Sequence, residues 1–227
     1  MQDTNLARLY QHRFQPEALP NKRRIWQVLC RDFFKKFVPA NATVLDLACG
    51  YGEFINEIPA AKKYAIDLNP DSPHFVSKDV IFYATRADDL SPIADESIDV
   101  VFTSNFFEHL PSKDVLNSVF AEIRRILRPG GKVLMLGPNI RYLPGEYWDF
   151  YDHHLPLSER SLCEGLVASD FEIERVIPRF LPFTTISRIP QHPLLVAIYL
   201  RTPIVWHIMG KQFFVVARKP KDANPSG

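Results

Sequence analysis

The pattern of apolar and polar positions along the chain predicts alternating helices and strands. Apolar side chains recur every three or four residues in 21–37 and 115–127, which indicates amphipathic helices. Short runs of apolar and β-branched residues predict strands at 43–48, 63–68, 80–84, 97–105, 131–137, 171–178 and 211–220. A further helix is expected directly after the first strand, within "GEFINEI".

Strands separated by helix-length segments pair in parallel through right-handed crossovers. We therefore expect an α/β fold: a Rossmann-like, mostly parallel seven-stranded sheet flanked by helices, with an N-terminal helix and an insertion before the last strand. A chain of 227 residues can build one such core. The expected parts of this single domain are a helical cap (1–38), a cofactor-binding core (39–139), an acceptor-side and insertion region (140–210) and the last strand (211–220).

Composition narrows the class of protein. Hydrophobic residues make up 46% of the chain and charged residues 23%, which is typical of a globular protein. The formal net charge of +1 argues against a strongly basic nucleic-acid binder. The three cysteines form no CxxC pair, and the N-terminal stretch is too polar for a signal peptide. A cytoplasmic protein without disulfides is the expectation.

The stretch "VLDLACGYGEF" (44–54) predicts a strand followed by a turn that approaches a nucleotide. A dinucleotide fingerprint needs a third glycine, but Glu53 or Ile55 stands in that place, and a Walker lysine motif is absent. An acid at Glu53 would repel a phosphate at a helix N-terminus, so a nucleoside without phosphates is expected. Asp67 follows Asp46 by twenty-one residues and is suited to bind both ribose hydroxyls. Asp67 could instead cap a helix in "NPDSPHF".

Four segments in order carry a family resemblance. The chain from 43 to 139 resembles a class I S-adenosylmethionine-dependent methyltransferase through "VLDLACGYGEF", "YAIDLNP", "DVVFTSNFFEHLP" and "RPGGKVLMLGPN". More narrowly, it resembles the type-11/23 methyltransferase domain of bacterial members associated with cell-surface glycans. The resemblance implies S-adenosyl-L-methionine as cofactor, held by Asp46, Ala48, Gly50, Gly52, Asp67, Leu68, Ala87, Asp88 and Asn105.

Within that resemblance, Asp46 would organise the loop near the methionine amino group and Asn105 would lie near the methionine part. Ala48 replaces the commoner glycine of the first motif. Arg86 stands where many relatives carry the acid that receives the adenine amino group. Asp88 or Asp89 would substitute for that acid, or the backbone at Ala87 would read the adenine alone.

The acceptor side is expected in the tract 141–162, which leaves the carboxyl end of the fifth strand and combines aromatics with Glu146, Asp149 and a run of acid and imidazole groups. A base there would remove a proton from a hydroxyl or amine acceptor. The candidates are His153, His154 and His109, with Asp152 as the partner that raises imidazole basicity, and His153 is preferred because it is next to Asp152. These histidines could instead hold the loop closed by hydrogen bonds. Asp152, His153 and His154 are adjacent and cannot easily converge on one ion, so no metal is expected.

The segment 192–210 is apolar, but Arg201 and Pro203 interrupt it, and it is short for a membrane span. It predicts a buried hairpin of helices, with a peripheral membrane contact or a homodimer contact as alternatives. The first of these would place the protein at the inner membrane surface.

Three functions remain. The first is methyl transfer to a small molecule or to a glycan or lipid precursor, on oxygen. The second is a catalytically silent scaffold that binds the cofactor, and the third is a nicotinamide dehydrogenase, which the missing third glycine disfavours.

Overall fold

A computed structural model describes residues 19–183 and 192–221. The helices within these ranges are α1 (Leu19–Asp32), α2 (Ser72–Phe75), α3 (Lys113–Ile126), α4 (Glu159–Ala168), α5 (Pro193–Arg201) and α6 (Pro203–Met209). The strands are β1 (Thr43–Leu47), β2 (Lys62–Ile66), β3 (Val80–Tyr83), β4 (Ile98–Ser104), β5 (Leu127–Pro138), β6 (Glu172–Ile177) and β7 (Gln212–Arg218). Short 3-10 helices cover Phe34–Lys36, Phe107–His109 and Glu146–Asp149. The first eighteen residues of the predicted cap lie outside the described residues.

The seven strands form one sheet in the order β3-β2-β1-β4-β5-β7-β6. The first five strands pair in parallel, whereas β7 lies antiparallel between β5 and β6. The predicted mostly parallel seven-stranded sheet is confirmed. The strand order reverses between β1 and β4, and open α/β sheets bind their ligands at the carboxyl ends of the strands beside such a reversal.

Helices pack on both faces of the sheet. Successive side chains of a strand point to opposite faces, so each strand contributes to both cores. In β1, Leu45 and Leu47 join the core beneath α3 and α4, whereas Val44 joins the core that contains residues of α1, α5 and α6. Helix α3 follows its predicted amphipathic pattern. Ser112 caps it by accepting a hydrogen bond from the Val115 N–H, and Leu116, Val119, Phe120, Ile123 and Ile126 are buried.

Two local predictions need correction. The segment after β1 is a series of turns rather than a regular helix, although the Asn56 N–H still donates to the Gly52 carbonyl. The Asn56 side chain ties this short segment to the loop after α2 by bonding the Phe75 carbonyl and the Ser77 N–H. The predicted helical hairpin at 192–210 forms as α5 and α6, but its outer face is exposed rather than buried.

The three cysteines are free, as expected from their spacing. Within the described part of the chain, none of the helices combines the length and the apolar character that crossing a membrane requires.

Candidate active site

The loop after β1 contains three residues in the left-handed backbone region. These are Ala48 (φ 59°), Gly50 (φ 55°) and Gly52 (φ 72°). Glycine adopts this conformation without strain, whereas an alanine there is less favourable. A Cβ at Gly52 would also lie 3.1 Å from Nδ2 of Asn56. The small residues therefore let this loop turn sharply at the carboxyl end of β1.

Asp67 joins the loops that follow β1 and β2. Its Oδ2 accepts a hydrogen bond from the Gly50 N–H (2.6 Å), and its Oδ1 accepts one from the Asn69 N–H (2.7 Å). Burial raises the pKa of this carboxyl, although the N–H groups of Asn69 and Gly50 act in the opposite direction. Each carboxylate oxygen keeps a further lone pair for a ligand hydroxyl. The alternative role of Asp67 as a helix cap is wrong, because Asp71 occupies the N-cap of α2.

Carboxylates dominate the electrostatics of this edge. Burial raises the pKa of Asp46 well above its usual range, and the nearby charges of Glu53 and Asp67 raise it further. Lys22 of α1 forms an ion pair with Glu53 at 2.5 Å. A cationic ligand would relieve the repulsion between these acids, whereas a phosphate would add to it, so the edge favours a ligand that carries positive charge. These residues fit a nucleoside with a cationic side chain, which is the chemistry of S-adenosylmethionine.

The loop after β3 holds the candidate adenine residues. Arg86 donates two hydrogen bonds to Asp88, at 2.8 and 2.7 Å, and these bonds lower the pKa of Asp88. Asp89 is exposed and its Oδ1 accepts from the Ser91 N–H at 3.2 Å. Ala87 packs against the core. Arg86, which replaces the acid that many relatives carry at this position, therefore orients the Asp88 carboxylate.

We expect Asp88→Asn to weaken S-adenosylmethionine binding about tenfold, the size of one hydrogen bond to a charged acceptor. Asp89→Asn is the matched control and is expected to bind like the wild type. Isothermal titration calorimetry measures both dissociation constants. Wild-type affinity in both variants would assign adenine recognition to the Ala87 backbone.

The remaining two residues of the predicted cofactor set are exposed. Leu68 follows Asp67 and is 44% exposed. Asn105 lies directly after β4 with φ 49°, and its N–H donates to the Leu136 carbonyl at 2.8 Å. Both residues therefore lie at the carboxyl ends of their strands, on the same edge as the first loop.

The end of β4 is tied to the tract 141–162 by backbone hydrogen bonds. The Glu108 carbonyl accepts from the N–H groups of His154 (2.7 Å) and Leu155 (3.1 Å). The 3-10 helix at Phe107–His109 and this tract are thereby brought side by side. The contact assembles titratable side chains that are more than forty residues apart in sequence.

His109 and Asp152 form the acid–imidazole pair of this cluster. Nδ1 of His109 lies 3.2 Å from Oδ2 of Asp152 and 3.0 Å from its backbone oxygen. Both partners are acceptors, so in the neutral imidazole Nδ1 carries the proton and Nε2 has the lone pair. Burial lowers the pKa of His109, but the bond to Asp152 and the charge of Glu108 raise it above its ordinary value overall.

The other two predicted histidines have different surroundings. His153 is buried, and its ring lies 4.7 Å from the rings of Phe150 and Tyr147 and 5.1 Å from that of His109. His154 is exposed, and its backbone N–H forms the bond to Glu108. Among the three candidate histidines, His109 is the one whose ring nitrogen lies beside the Asp152 carboxylate.

The side chains that come together as possible metal ligands differ from the set 152–154 considered in the sequence analysis. One ligand atom from each of Glu108, His109 and His153 lies within 4.8 Å of the others, a spacing at which a divalent cation can also be held. Adjacency along the chain argued against a metal at residues 152–154, but tertiary structure brings Glu108 in from another strand end.

The tract also supplies a buried hydroxyl. Tyr147 is fully buried with Leu143 and Phe183, and its OH has no hydrogen-bond partner among the described residues. Burial and the charge of Glu108 raise its pKa. Glu146 pairs with Lys211 at 2.5 Å, and Asp149 is exposed. Sequence reasoning missed Glu108 and Tyr147 as site residues, although Glu108 directly precedes His109.

Comparison with known proteins shows which proteins this chain resembles. Residues 45–135 match the family described as methyltransferase domain. An uncharacterized methyltransferase of Mycobacterium bovis is 32% identical over 113 residues, covering 44% of this chain and 42% of the relative. The ubiquinone/menaquinone biosynthesis C-methyltransferase UbiE of Hahella chejuensis is 28% identical over 170 residues, covering 68% of this chain and 64% of that protein. The match thus spans about two fifths of the first curated relatives.

Solved structures agree on the fold. An S-adenosylmethionine-dependent methyltransferase from Archaeoglobus fulgidus superposes with a TM-score of 0.64 at 18% identity, over 87% of this chain and 94% of its own. A chain from the complex between the Haloferax volcanii Trm112 methyltransferase activator and a methyltransferase gives 0.67 at 17% identity, over 91% and 95%. The fold is that of the class I methyltransferases. Residues 45–135 match a methyltransferase domain, for which S-adenosyl-L-methionine is the cofactor.

Proposed function

We propose that this protein transfers the methyl group of S-adenosyl-L-methionine to an oxygen atom of a small molecule or of a glycan or lipid precursor. The observation that carries the proposal is the His109–Asp152 pair at the carboxyl end of β4. Asp152 holds Nδ1 of His109 and leaves Nε2 free to take a proton. A hydroxyl acceptor is the group that gains most from such a base.

The cofactor is proposed to lie across the loops after β1 and β2. Asp67 would accept hydrogen bonds from the ribose hydroxyls, and Asp46 would organise the loop near the methionine amino group. Ala48, Gly50 and Gly52 would present their backbone to the ligand, with Leu68, Ala87 and Asp88 at the adenine end and Asn105 near the methionine part. When bound, S-adenosylmethionine supplies an electrophilic methyl group on a sulfonium.

The acceptor is proposed to lie against the tract 141–162. His109 Nε2 would receive the acceptor proton as the oxygen–carbon bond forms and the methyl carbon–sulfur bond breaks, which leaves S-adenosylhomocysteine. The Asp152 carboxylate would stabilise the resulting imidazolium. His153 and Tyr147 would border the acceptor from the tract. His154 is a weaker candidate for the base, since its side chain is exposed. Alignment of the acceptor oxygen with the carbon–sulfur bond would provide the rest of the acceleration.

Two other functions are less well supported. A catalytically silent scaffold would not need an oriented histidine beside the predicted methyl position. Transfer to carbon is the activity printed in the name of the Hahella chejuensis relative. The sequence resemblance to methyltransferases associated with bacterial cell-surface glycans favours an oxygen acceptor, because sugars are rich in hydroxyl groups.

The proposal is tested in two stages. Calorimetric titration is expected to show binding of S-adenosylhomocysteine and no binding of NAD. S-adenosylmethionine with a ¹³C-labelled methyl group is then incubated with glycan, lipid-precursor and small phenolic or sugar acceptors, and products are read by NMR. A labelled methyl on oxygen supports the proposal. A label on carbon, or cofactor binding without any product, contradicts it.

A further inference from the structure

Helices α5 and α6 expose five large aliphatic side chains. The exposed fractions are 62% for Leu194, 47% for Leu195, 53% for Ile198, 73% for Ile204 and 74% for Ile208. We call these five residues the apolar helix patch. The opposite sides of the same helices are buried through Ala197, Leu200 and Trp206. The helices therefore pack on the core by one side and present a second apolar side outward.

Apolar patches of this kind on soluble proteins mark an interaction surface. The spacing on each helix supports a single face: Leu194 and Ile198 are one turn apart on α5, and Ile204 and Ile208 are one turn apart on α6. The two helices join directly at Thr202. Both helices are too short to cross a bilayer, but they have the length to lie in its interface.

Basic residues outnumber acidic residues beside the apolar helix patch. The segment that contains both helices, residues 175–221, has eight lysines and arginines and neither aspartate nor glutamate. Three of the eight, Lys211, Arg218 and Lys219, pair with acids of other segments. Next to α5, Arg31, Lys35 and Arg201 all lie close enough to Asp32 to lower its pKa, with Arg31 contributing most. A cationic border around an apolar surface is the chemistry that recognises anionic lipid headgroups.

The apolar helix patch lies close to the edge of the sheet that holds the candidate active site. Helix α6 leads into β7, whose first residue, Gln212, pairs with Pro138 at the carboxyl end of β5. Lys211, between α6 and β7, pairs with Glu146 of the tract 141–162. A surface bound through α5 and α6 would therefore lie beside the acceptor side of the site.

We propose that the apolar helix patch docks on the surface of an anionic lipid bilayer. The aliphatic side chains enter the headgroup region, and Arg201 with its basic neighbours contacts anionic headgroups. The docking follows from α5 and α6 alone. Its consequence, an acceptor presented from the membrane, rests on the proposed function.

A second copy of the chain is the competing occupant. A two-fold contact through the apolar helix patch would bring Arg201 and its basic neighbours toward the same residues of the other copy. Like charges at close range oppose such a contact, whereas they strengthen binding to an anionic membrane. The bilayer is therefore the occupant that the charge pattern favours.

The test is co-sedimentation with vesicles of phosphatidylcholine alone and of phosphatidylcholine mixed with phosphatidylglycerol. The full chain is expected to bind the mixed vesicles at least about tenfold more tightly, and added salt is expected to weaken this binding. The double variant Ile204→Ser/Ile208→Ser should lose about tenfold or more in affinity. Val167→Ser is the matched control, because Val167 is 59% exposed on α4. It should bind like the wild type.

Equal binding by the double variant and the wild type, or no binding to the mixed vesicles, overturns the proposal. Size-exclusion chromatography with light scattering tests the second copy: a dimer that the double variant converts to monomer also overturns it. An unchanged thermal unfolding midpoint shows that the variants fold. The vesicle assay contains neither cofactor nor acceptor, so its failure is distinguishable from a failure of the proposed methyl transfer.

Discussion

Replacement of His109 by alanine is expected to lower the turnover number about 10²–10⁴-fold, the usual contribution of a general base. The dissociation constant for S-adenosylmethionine should stay close to the wild-type value, because His109 belongs to the proposed acceptor side. The physical reason is the geometry of the pair: Asp152 binds Nδ1 and leaves Nε2 as the proton acceptor. Single-turnover rates and calorimetric titration measure the two quantities separately.

The pH dependence of the turnover number provides a second test of His109 as the base. Burial lowers the pKa of His109, whereas Asp152 and Glu108 raise it, and the net result lies above the ordinary value of 6.5. A base works only when unprotonated, so turnover should fall as the pH drops through that raised pKa. In Asp152→Asn the raising contribution of Asp152 is lost while burial remains. The acid limb of the profile should therefore move to lower pH, together with a lower maximal rate.

Two controls separate the base from other roles of the same cluster. His153→Ala should reduce turnover less than His109→Ala, because His153 is packed between aromatic rings. A larger loss at His153 would move the base to the tract. Addition of EDTA is expected to leave the rate unchanged. If EDTA lowers the rate and added Mg²⁺ or Zn²⁺ restores it, Glu108, His109 and His153 would instead form a metal centre.

Asp67→Ala is expected to weaken S-adenosylmethionine binding about ten- to one-hundred-and-fifty-fold, since hydrogen bonds to a charged acceptor contribute about 1.5–3 kcal/mol. Two effects act together in this variant. The proposed contacts to the ribose hydroxyls are lost, and the Gly50 N–H loses the carboxylate that holds the first loop. Isothermal titration calorimetry gives the dissociation constant directly.

Asp67→Asn isolates the charge, because the amide keeps one oxygen acceptor and a similar shape. We expect an intermediate affinity for this variant. Gly50→Val should weaken binding at least as much as Asp67→Ala, because a β-branched residue resists the left-handed conformation observed at this position. Wild-type affinity in Asp67→Ala would rule out the ribose assignment, whatever the outcome at His109.

The sequence by itself determined the sheet and the cofactor edge. Short runs of apolar and β-branched residues predicted all seven strands of the described structure, because most of these strands are buried on both faces of the sheet. The glycines at 50 and 52 and the acid at 67 pointed to one nucleoside site, since small residues and strand-end carboxylates act locally. Left-handed backbone at both glycines agrees with that reading.

Only the tertiary structure decided which side chains meet. Asp152 was expected to act beside its neighbour His153, and the backbone bonds from His154 and Leu155 to Glu108 bring His109 to Asp152 as well. Likewise, the apolar pattern of 192–210 suggested burial, whereas the packing on the core covers one side of each helix and leaves the other exposed. Periodicity reports which residues are apolar, because it depends on neighbours along the chain. Contacts between distant segments depend on how loops cross the sheet, and a single sequence holds no local signal for them.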